Sequence, residues 1–500
     1  MVYNGLYDKA NALKVFEKVM DWINLERFFP KNLNEEQLAA FKTAFYKRFS
    51  LEAHRFYSGK MYFMPKVPLN GLSSFNVWYT PGVSAVSTAI RDDNDLSFVL
   101  TGRANRVAIV SDSTRVLGDG DCTPCGGLGV MEGKALLMSR LAGIDAVPLC
   151  VDNRDGNGVP SAEKVIEFVK MIAPSFGAVN LEDISQPNCF KILDVLQEEC
   201  PIPVWHDDAQ GTACVVLAGL LNALKVVGKD IKDCKIVFYG AGAANTAVAN
   251  LLVVAGAPAS KMVLFDSKGT LHKNRTDYRD NKLSYRQWQL CQQTNAAGFL
   301  SHEEAFSGAD VLIALSKPGP GTIRPEWIGL MAEKPVVFAC ANPVPEIYPY
   351  EAERAGAYIV ATGRGDFANQ INNSVAFPAV LKGVLAVSAT KITDSMAIAA
   401  ARAIAGYAEG KGLLRTHIIP TMLDTDMVPL VASEVAAAAM SEGIARHPID
   451  KETVKSLVMS DIQRTVAISE SLMRSGLIED LPEEIVRKVV DAVSKDCSCF

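Results

Sequence analysis

The chain has no apolar run near the roughly 20 residues that span a bilayer; its longest, such as Ala213–Leu221, are far shorter. A membrane-spanning protein is therefore not expected. Charge of one sign is not in excess either: 50 Lys+Arg stand against 56 Asp+Glu, a net −6 spread without long runs. That balance argues against a nucleic-acid groove and against a basic membrane patch. The opening, MVYNGLYDKANALKVFEKVM, mixes charges into its apolar residues and offers no secretory h-region. Cysteine occurs 11 times, scattered and odd in number, the usage expected of reduced thiols in a cytoplasmic protein. The CxxC at Cys122 and Cys125 has no second pair, so a zinc site is not expected. The ending Cys497-Ser-Cys-Phe500 lacks the aliphatic middle and basic lead of a prenylation box. What is present, 49% hydrophobic and 21% charged residues over 500 positions, is ordinary globular composition with room for two or three domains.

Residues 1–70 read mostly as helix, with apolar residues near helical spacing in Ala12–Phe29 and Leu38–Phe49. From 71 to 215, strand and helix signals alternate. Val107–Val110, Asp145–Cys150 and Ala178–Leu181 read as strands ending near Asp112, Asp152 and Glu182-Asp183. Carboxyl ends of strands are where α/β proteins collect ligands. The stretch Val204–Leu224 places a second acidic pair, Asp207-Asp208, before a long apolar helix capped at Gly228. Such acids can simply cap the helix and favour its first turn; capping needs only one of them, and a bound cation would remove the repulsion between the two. A glycine-rich segment precedes Lys134, which is expected to open a helix Lys134–Leu141; it reads either as a solvated lysine on the helix surface or as a base whose pKa is lowered by the helix end and a nearby cation. Tyr79, before a Pro-Gly turn, reads on its own as a core tyrosine.

Residues 229–365 carry the clearest fold signal. Strand Lys235–Tyr239, the turn Gly240-Ala-Gly242-Ala243-Ala244-Asn245, helix Thr246–Val254, strand Lys261–Phe265 and Asp266 follow in the order of a dinucleotide fingerprint. The glycines let backbone N–H groups meet a pyrophosphate, and Asp266 is placed to accept from a ribose 2′-hydroxyl. Asn245 at the third glycine position is expected to loosen helix–strand packing. Further strands end at Ser316, near Asn342 and at Thr362, which places Ser316 and Asn342 in the crevice at the sheet edge. Ser267–Ala297 reads as a polar surface excursion, and residues 366–500 as mostly helix.

From about Tyr79 to about Thr393 the chain resembles the malic enzymes. The likeness rests on Tyr79-Thr-Pro-Gly-Val, Val130-Met-Glu-Gly-Lys134-Ala-Leu-Leu, Asn180-Leu-Glu182-Asp183-Ile, His206-Asp-Asp208-Ala-Gln-Gly-Thr-Ala, Gly240-Ala-Gly-Ala-Ala, Ala341-Asn342-Pro343 and Asn369-Gln-Ile-Asn372-Asn373. The resemblance implies oxidative decarboxylation of L-malate to pyruvate and CO₂ with NAD or NADP and Mg²⁺ or Mn²⁺. It implies Glu182, Asp183 and Asp208 as metal ligands, Lys134 as general base and Tyr79 as the acid that protonates C3. Asn342 and Asn373 would hold the substrate carboxylate and nicotinamide side, and Asp207 would orient the metal ligands. Arg115 resembles the arginine with which the longer form of the family grips a malate carboxylate. The segment Gly118-Asp-Gly-Asp-Cys122 and Ala379 depart from the short, bacterial-type pattern. With Asp266 at the ribose and only Lys268 nearby to oppose it, a modest NAD preference is expected.

The fold class follows. It is α/β, with a Rossmann-type doubly wound parallel sheet domain, an N-terminal α/β domain carrying substrate and metal residues, and a helical C-terminal extension. The expected boundaries are 1–215, 216–400 and 401–500, in a homodimer or higher oligomer. Two other functions fit the same residues. One is a decarboxylase or malate-to-lactate enzyme that keeps its dinucleotide bound. The other is a non-catalytic nucleotide-binding regulator, for which loss of Lys134, Tyr79 or a carboxylate would have been the sign.

Overall fold

The computed structural model describes residues 22–116 and 119–496. Part of the expected helical stretch Ala12–Phe29, Gly118 and the ending Cys497–Phe500 lie outside these residues. Contacts divide the chain into two compact units, 64–462 and a smaller one that combines 1–63 with 463–500. This differs from the three expected segments, because the terminal helices share one core. In the smaller unit, helices Glu35–Tyr57 and Glu483–Asp496 bury Phe41, Phe45, Phe49, Val486, Val489 and Val493 together.

The larger unit holds two parallel sheets. The first runs β2-β1-β3-β4, formed by β1 (Arg106–Ser111), β2 (Asp145–Cys150), β3 (Ala178–Leu181) and β4 (Val204–His206). Its β1 is wholly buried after Arg106, the near-continuous apolar run of a strand covered on both faces. The second sheet has β5 (Ile236–Tyr239), β6 (Met262–Asp266), β7 (Gly269–Thr270), β8 (Val311–Ala314), β9 (Val336–Ala339) and β10 (Ile359–Thr362). Its order is β10-β9-β8-β5-β6-β7, and every pair is parallel except the short β6–β7. That is the doubly wound order, with a two-residue antiparallel strand in the third position. The order reverses between β5 and β8, and ligands of such sheets bind at that point.

Helix Thr212–Val227 follows β4 and ends at Gly228, whose φ of +74° makes the expected left-handed cap. With the turn before it, Asp207–Val227 is the one described helix long and apolar enough to cross a membrane by length and composition. Its most apolar window is 72% buried, as in a core helix. The nine described cysteines are all free thiols.

Candidate active site

The acids expected to bind metal arrive from two strand ends. Glu182 and Asp183 follow β3 directly. Asp207 and Asp208 follow β4 in a π-helical turn, Asp207–Gly211, of the kind common at functional sites. The turn needs Gly211, because a Cβ there would fall 1.9 Å from Asp207 Oδ1. β3 and β4 pair in parallel, Leu181 beside His206, so the two acidic pairs emerge at one edge. One oxygen each of Glu182, Asp183 and Asp208 then lies within 4.8 Å of the others. The backbone N–H of Asp183 donates to Asp208 Oδ2 at 2.7 Å, which fixes the two ligand segments against each other. Asn180 Nδ2 donates to Glu182 Oε2 at 2.9 Å, and Trp205 Nε1 to Asp207 Oδ1 at 3.2 Å.

Lys134 reaches into this group from helix Leu128–Ala142. The helix begins six residues earlier than expected, so Lys134 lies inside it rather than in its first turn. Its ammonium pairs with Asp207 and stands 2.9 Å from Glu182 Oε1, over the Phe377 ring at 4.5 Å from the centroid. Burial pulls its pKa down, but Asp207, Glu182 and Asp208 outweigh burial and hold it above the ordinary lysine value. The helix-end lowering expected for Lys134 falls away, because the residue lies inside the helix and not in its first turn; the lowering expected from a nearby cation belongs to the metal-loaded site. Burial raises the pKa of Glu182, and Asp208, Asp207 and Asp183 raise it further against the pull of Lys134. Four carboxylates (−4) and one ammonium (+1) leave a formal −3 here. An all-carboxylate set of this charge fits a hard divalent cation such as Mg²⁺ or Mn²⁺.

Beside the carboxylates a cavity of about 480 Å³ runs to the switch point of the second sheet. Arg115, Asp183, Asp208, Gly242, Ala243, Ala244, Ser316 and Asn342 line it. The two glycines of the turn do different work. Gly240 has φ +102°, and a Cβ there would meet Leu315 O at 2.7 Å. Gly242 has open space around its missing Cβ, where a phosphate can approach the start of helix Ala243–Val254. Asn245 does not loosen the packing. It is fully buried and donates to Tyr239 O at 3.1 Å and Gly240 O at 2.8 Å, pinning the turn to its strand. Asn373 sits against the π-helical turn, its Cβ 3.5 Å from where a Gly211 side chain would begin.

Two expected site residues differ from the sequence reading, Tyr79 in its place and Asp266 in its partners. Tyr79 is 61% exposed, lines no part of the cavity, and stacks edge-on with Phe75. It is not a core tyrosine. Asp266 ends β6 as expected, but its carboxylate is held by Arg275 and Tyr278. Arg275 comes from the expected surface excursion, which instead folds back and buries Arg275, Gln287 and Leu290.

Sequence reading missed Phe377 and Glu346. Glu346 is fully buried; one oxygen accepts from Ser316 N at 2.8 Å and the other from Ala341 N at 3.0 Å. It thereby holds together the two loops that carry Ser316 and Asn342. A charged residue inside Pro343-Val-Pro345-Glu346-Ile was the available signal.

A doubly wound nucleotide sheet whose cavity takes in two carboxylates of a triad, with a lysine against the third, defines a class: dinucleotide-dependent oxidoreductases. Comparison narrows it. The family profile "Malic enzyme, NAD binding domain" matches residues 209–441, and "Malic enzyme, N-terminal domain" matches 59–197. An NAD-dependent malic enzyme of Geobacillus stearothermophilus is 44% identical over 388 residues, 78% of each chain. A bifunctional malic/malolactic enzyme of Bacillus subtilis is 41% identical over 405 residues, 81% of this chain and 96% of that one. A crystal structure of Entamoeba histolytica malic enzyme superposes with a TM-score of 0.93 at 55% identity, covering 96% of this chain and 99% of the other. The chain belongs to the malic enzyme family.

Proposed function

We propose that the chain oxidises L-malate and decarboxylates it to pyruvate and CO₂, with NAD or NADP as hydride acceptor. The observation that carries this reading is the convergence of Lys134 and three carboxylates, two of which, Asp183 and Asp208, line the nucleotide cavity with Arg115. Glu182, Asp183 and Asp208 would hold a divalent cation, which would supply Lewis-acid polarisation of the substrate, and the turn at Gly240–Ala244 would hold the dinucleotide, which would supply the hydride acceptor. Lys134 takes the C2 hydroxyl proton. It can do so once Glu182 and Asp208, two of the anions that hold its proton on, are committed elsewhere. Asp207 keeps the amine aimed, and Phe377 closes its other side. Arg115 grips a malate carboxylate from the cavity wall. Gly240, Gly242, Ala243 and Ala244 receive the pyrophosphate, with Ser316, Asn342 and Asn373 on the nicotinamide and substrate side.

Tyr79 supplies the proton to C3 from a second copy of this chain. Helix Leu72–Trp78 and the helix after it, Val83–Asp92, contain no buried residue. Leu69, Leu72, Val77 and Trp78 are 63%, 80%, 59% and 48% exposed. An apolar face that carries a residue the site lacks is what a self-complementary dimer covers.

The direct test is a steady-state assay with malate, Mn²⁺ and either cofactor, alongside Asp208→Asn. Net NAD(P)H formation by the parent chain is expected, with most activity lost in the variant, because an amide oxygen is a poorer ligand for a hard cation. Malate consumption without net NAD(P)H would instead mark a malate-to-lactate enzyme that keeps its dinucleotide. Full turnover of Asp208→Asn at low Mn²⁺ would falsify the carboxylate assignment.

A further inference from the structure

Asp266 stands where a dinucleotide fold places its NAD-selecting acid. It closes β6 next to the glycine turn, and Gly240 N donates to the neighbouring Phe265 O at 2.9 Å. Yet the carboxylate has no acceptor position left. Oδ1 accepts from Arg275 Nη1 at 3.1 Å and from Lys268 N at 2.8 Å. Oδ2 accepts from Arg275 Nη2 at 2.5 Å and from the Tyr278 hydroxyl at 2.8 Å. Four bonds fill the roughly four lone-pair sites of a carboxylate.

Arg275 is equally committed. Its Nε donates to Asp277 Oδ1 at 2.8 Å, Nη2 also to Asp277 Oδ2 at 2.8 Å, and Nη1 also to Thr270 O at 3.2 Å. With the two bonds to Asp266, all five N–H groups are used, and the residue is 9% exposed. Asp266 and Asp277 (−2) against Arg275 and Lys268 (+2) sum to zero. The position therefore offers no free acceptor for a ribose hydroxyl and no net negative charge against a phosphate. One cation remains adaptable: the Lys268 side chain is 68% exposed, its ammonium 3.2 Å from Asp277 at the rim.

We propose that Arg275 sets cofactor choice by capping Asp266, so that the chain accepts a 2′-phosphorylated dinucleotide, with Lys268 as the cation that meets the phosphate. This replaces the NAD preference expected from Asp266 alone. The nucleotide is the hydride acceptor of the proposed reaction, and the inference rests on that reading only for its kinetic consequence.

Calorimetric titration with adenosine 2′,5′-bisphosphate and with AMP tests it without malate or metal. The parent chain is expected to bind the bisphosphate at least as well as AMP. Lys268→Glu should weaken the bisphosphate by roughly tenfold and leave AMP unchanged, the scale of one lost charge contact. Arg275→Ala frees Asp266 and should move the ratio toward AMP by a similar factor. Should Arg275→Ala fail to fold, Tyr278→Phe, which opens one acceptor position, is expected to move the ratio the same way. A parent chain that favours AMP by more than roughly tenfold, or folded variants with the parent's ratio, would overturn the proposal. If these ratios behave as expected while malate yields no NAD(P)H with either cofactor, it is the malate reading that fails.

Discussion

Arg115 hangs from a loop whose anchors are buried side chains. Asp112, fully buried, accepts from Thr114 N at 3.1 Å, Thr114 Oγ1 at 2.7 Å and Asn153 Nδ2 at 2.9 Å. Thr114 Oγ1 in turn accepts from Ser185 N at 2.9 Å, and Arg115 N donates to Asp183 O at 3.0 Å. The backbone is thus tied to the segment that carries two proposed metal ligands, while the guanidinium is left exposed in the cavity. From the sequence Arg115 could be picked out only by resemblance; the Asp112 network joins residues up to about 70 positions apart and had no local signature. Arg115→Ala is expected to cost about 2–4 kcal/mol in kcat/KM for malate, the scale of a charge-assisted pair lost from a desolvated site. Arg115→Lys should recover part of that, since an ammonium lacks the planar fork. An alanine variant with the parent's kcat/KM would mean that the side chain points away from substrate.

At the scale of elements, the strands were legible because buried parallel strands are short continuous apolar runs bounded by turns. Ala178–Leu181 and Val336–Ala339, buried throughout, have the bounds their residues suggest. The segment after Asp266 was not legible: its order comes from Arg275 closing on an acid nine positions earlier, and polar composition alone reads as surface. That closure has a pH signature. Burial would raise the pKa of Asp266, but Arg275, Tyr278 and the Lys268 amide together hold it below the usual aspartate value, and Arg275 holds Asp277 low as well. A depressed carboxylate contributes stability that is complete above its unfolded pKa, about 3.9, and is lost as pH falls through the folded value. Arg275→Gln removes the partner from an Asp266 side chain that is 12% exposed. Denaturant unfolding should show a loss of about 3 kcal/mol at pH 7, shrinking as pH falls below about 3.9, where the unfolded chains take up protons while the parent's folded Asp266 still holds its charge. A deficit that stays constant over that range would mean that the charge pair contributes nothing specific and only packing was lost.

For the whole molecule, the pairing of the two termini was invisible in the sequence. Tyr57 donates to Glu479 O at 2.9 Å across 422 positions, and helix periodicity carries no record of such a partner. The same limit applies to Tyr79, exposed and outside the cavity lining, since a motif names a residue's role without saying which copy of the chain supplies it. If each site takes Lys134 from one subunit and Tyr79 from the other, two individually dead variants complement. Lys134→Ala and Tyr79→Phe should each retain little activity alone. Unfolded together in equal amounts and refolded, half of the dimers carry one variant of each kind. Each mixed dimer then has one site with both side chains intact and one with neither. Activity of about a quarter of the parent's is expected from random pairing in a two-fold dimer. The readout is NAD(P)H formation from malate by the refolded mixture, with each variant refolded alone as the control. Were both groups drawn from one chain, no mixing ratio would restore activity above the controls, and the exposed face around Tyr79 would have to serve some other contact.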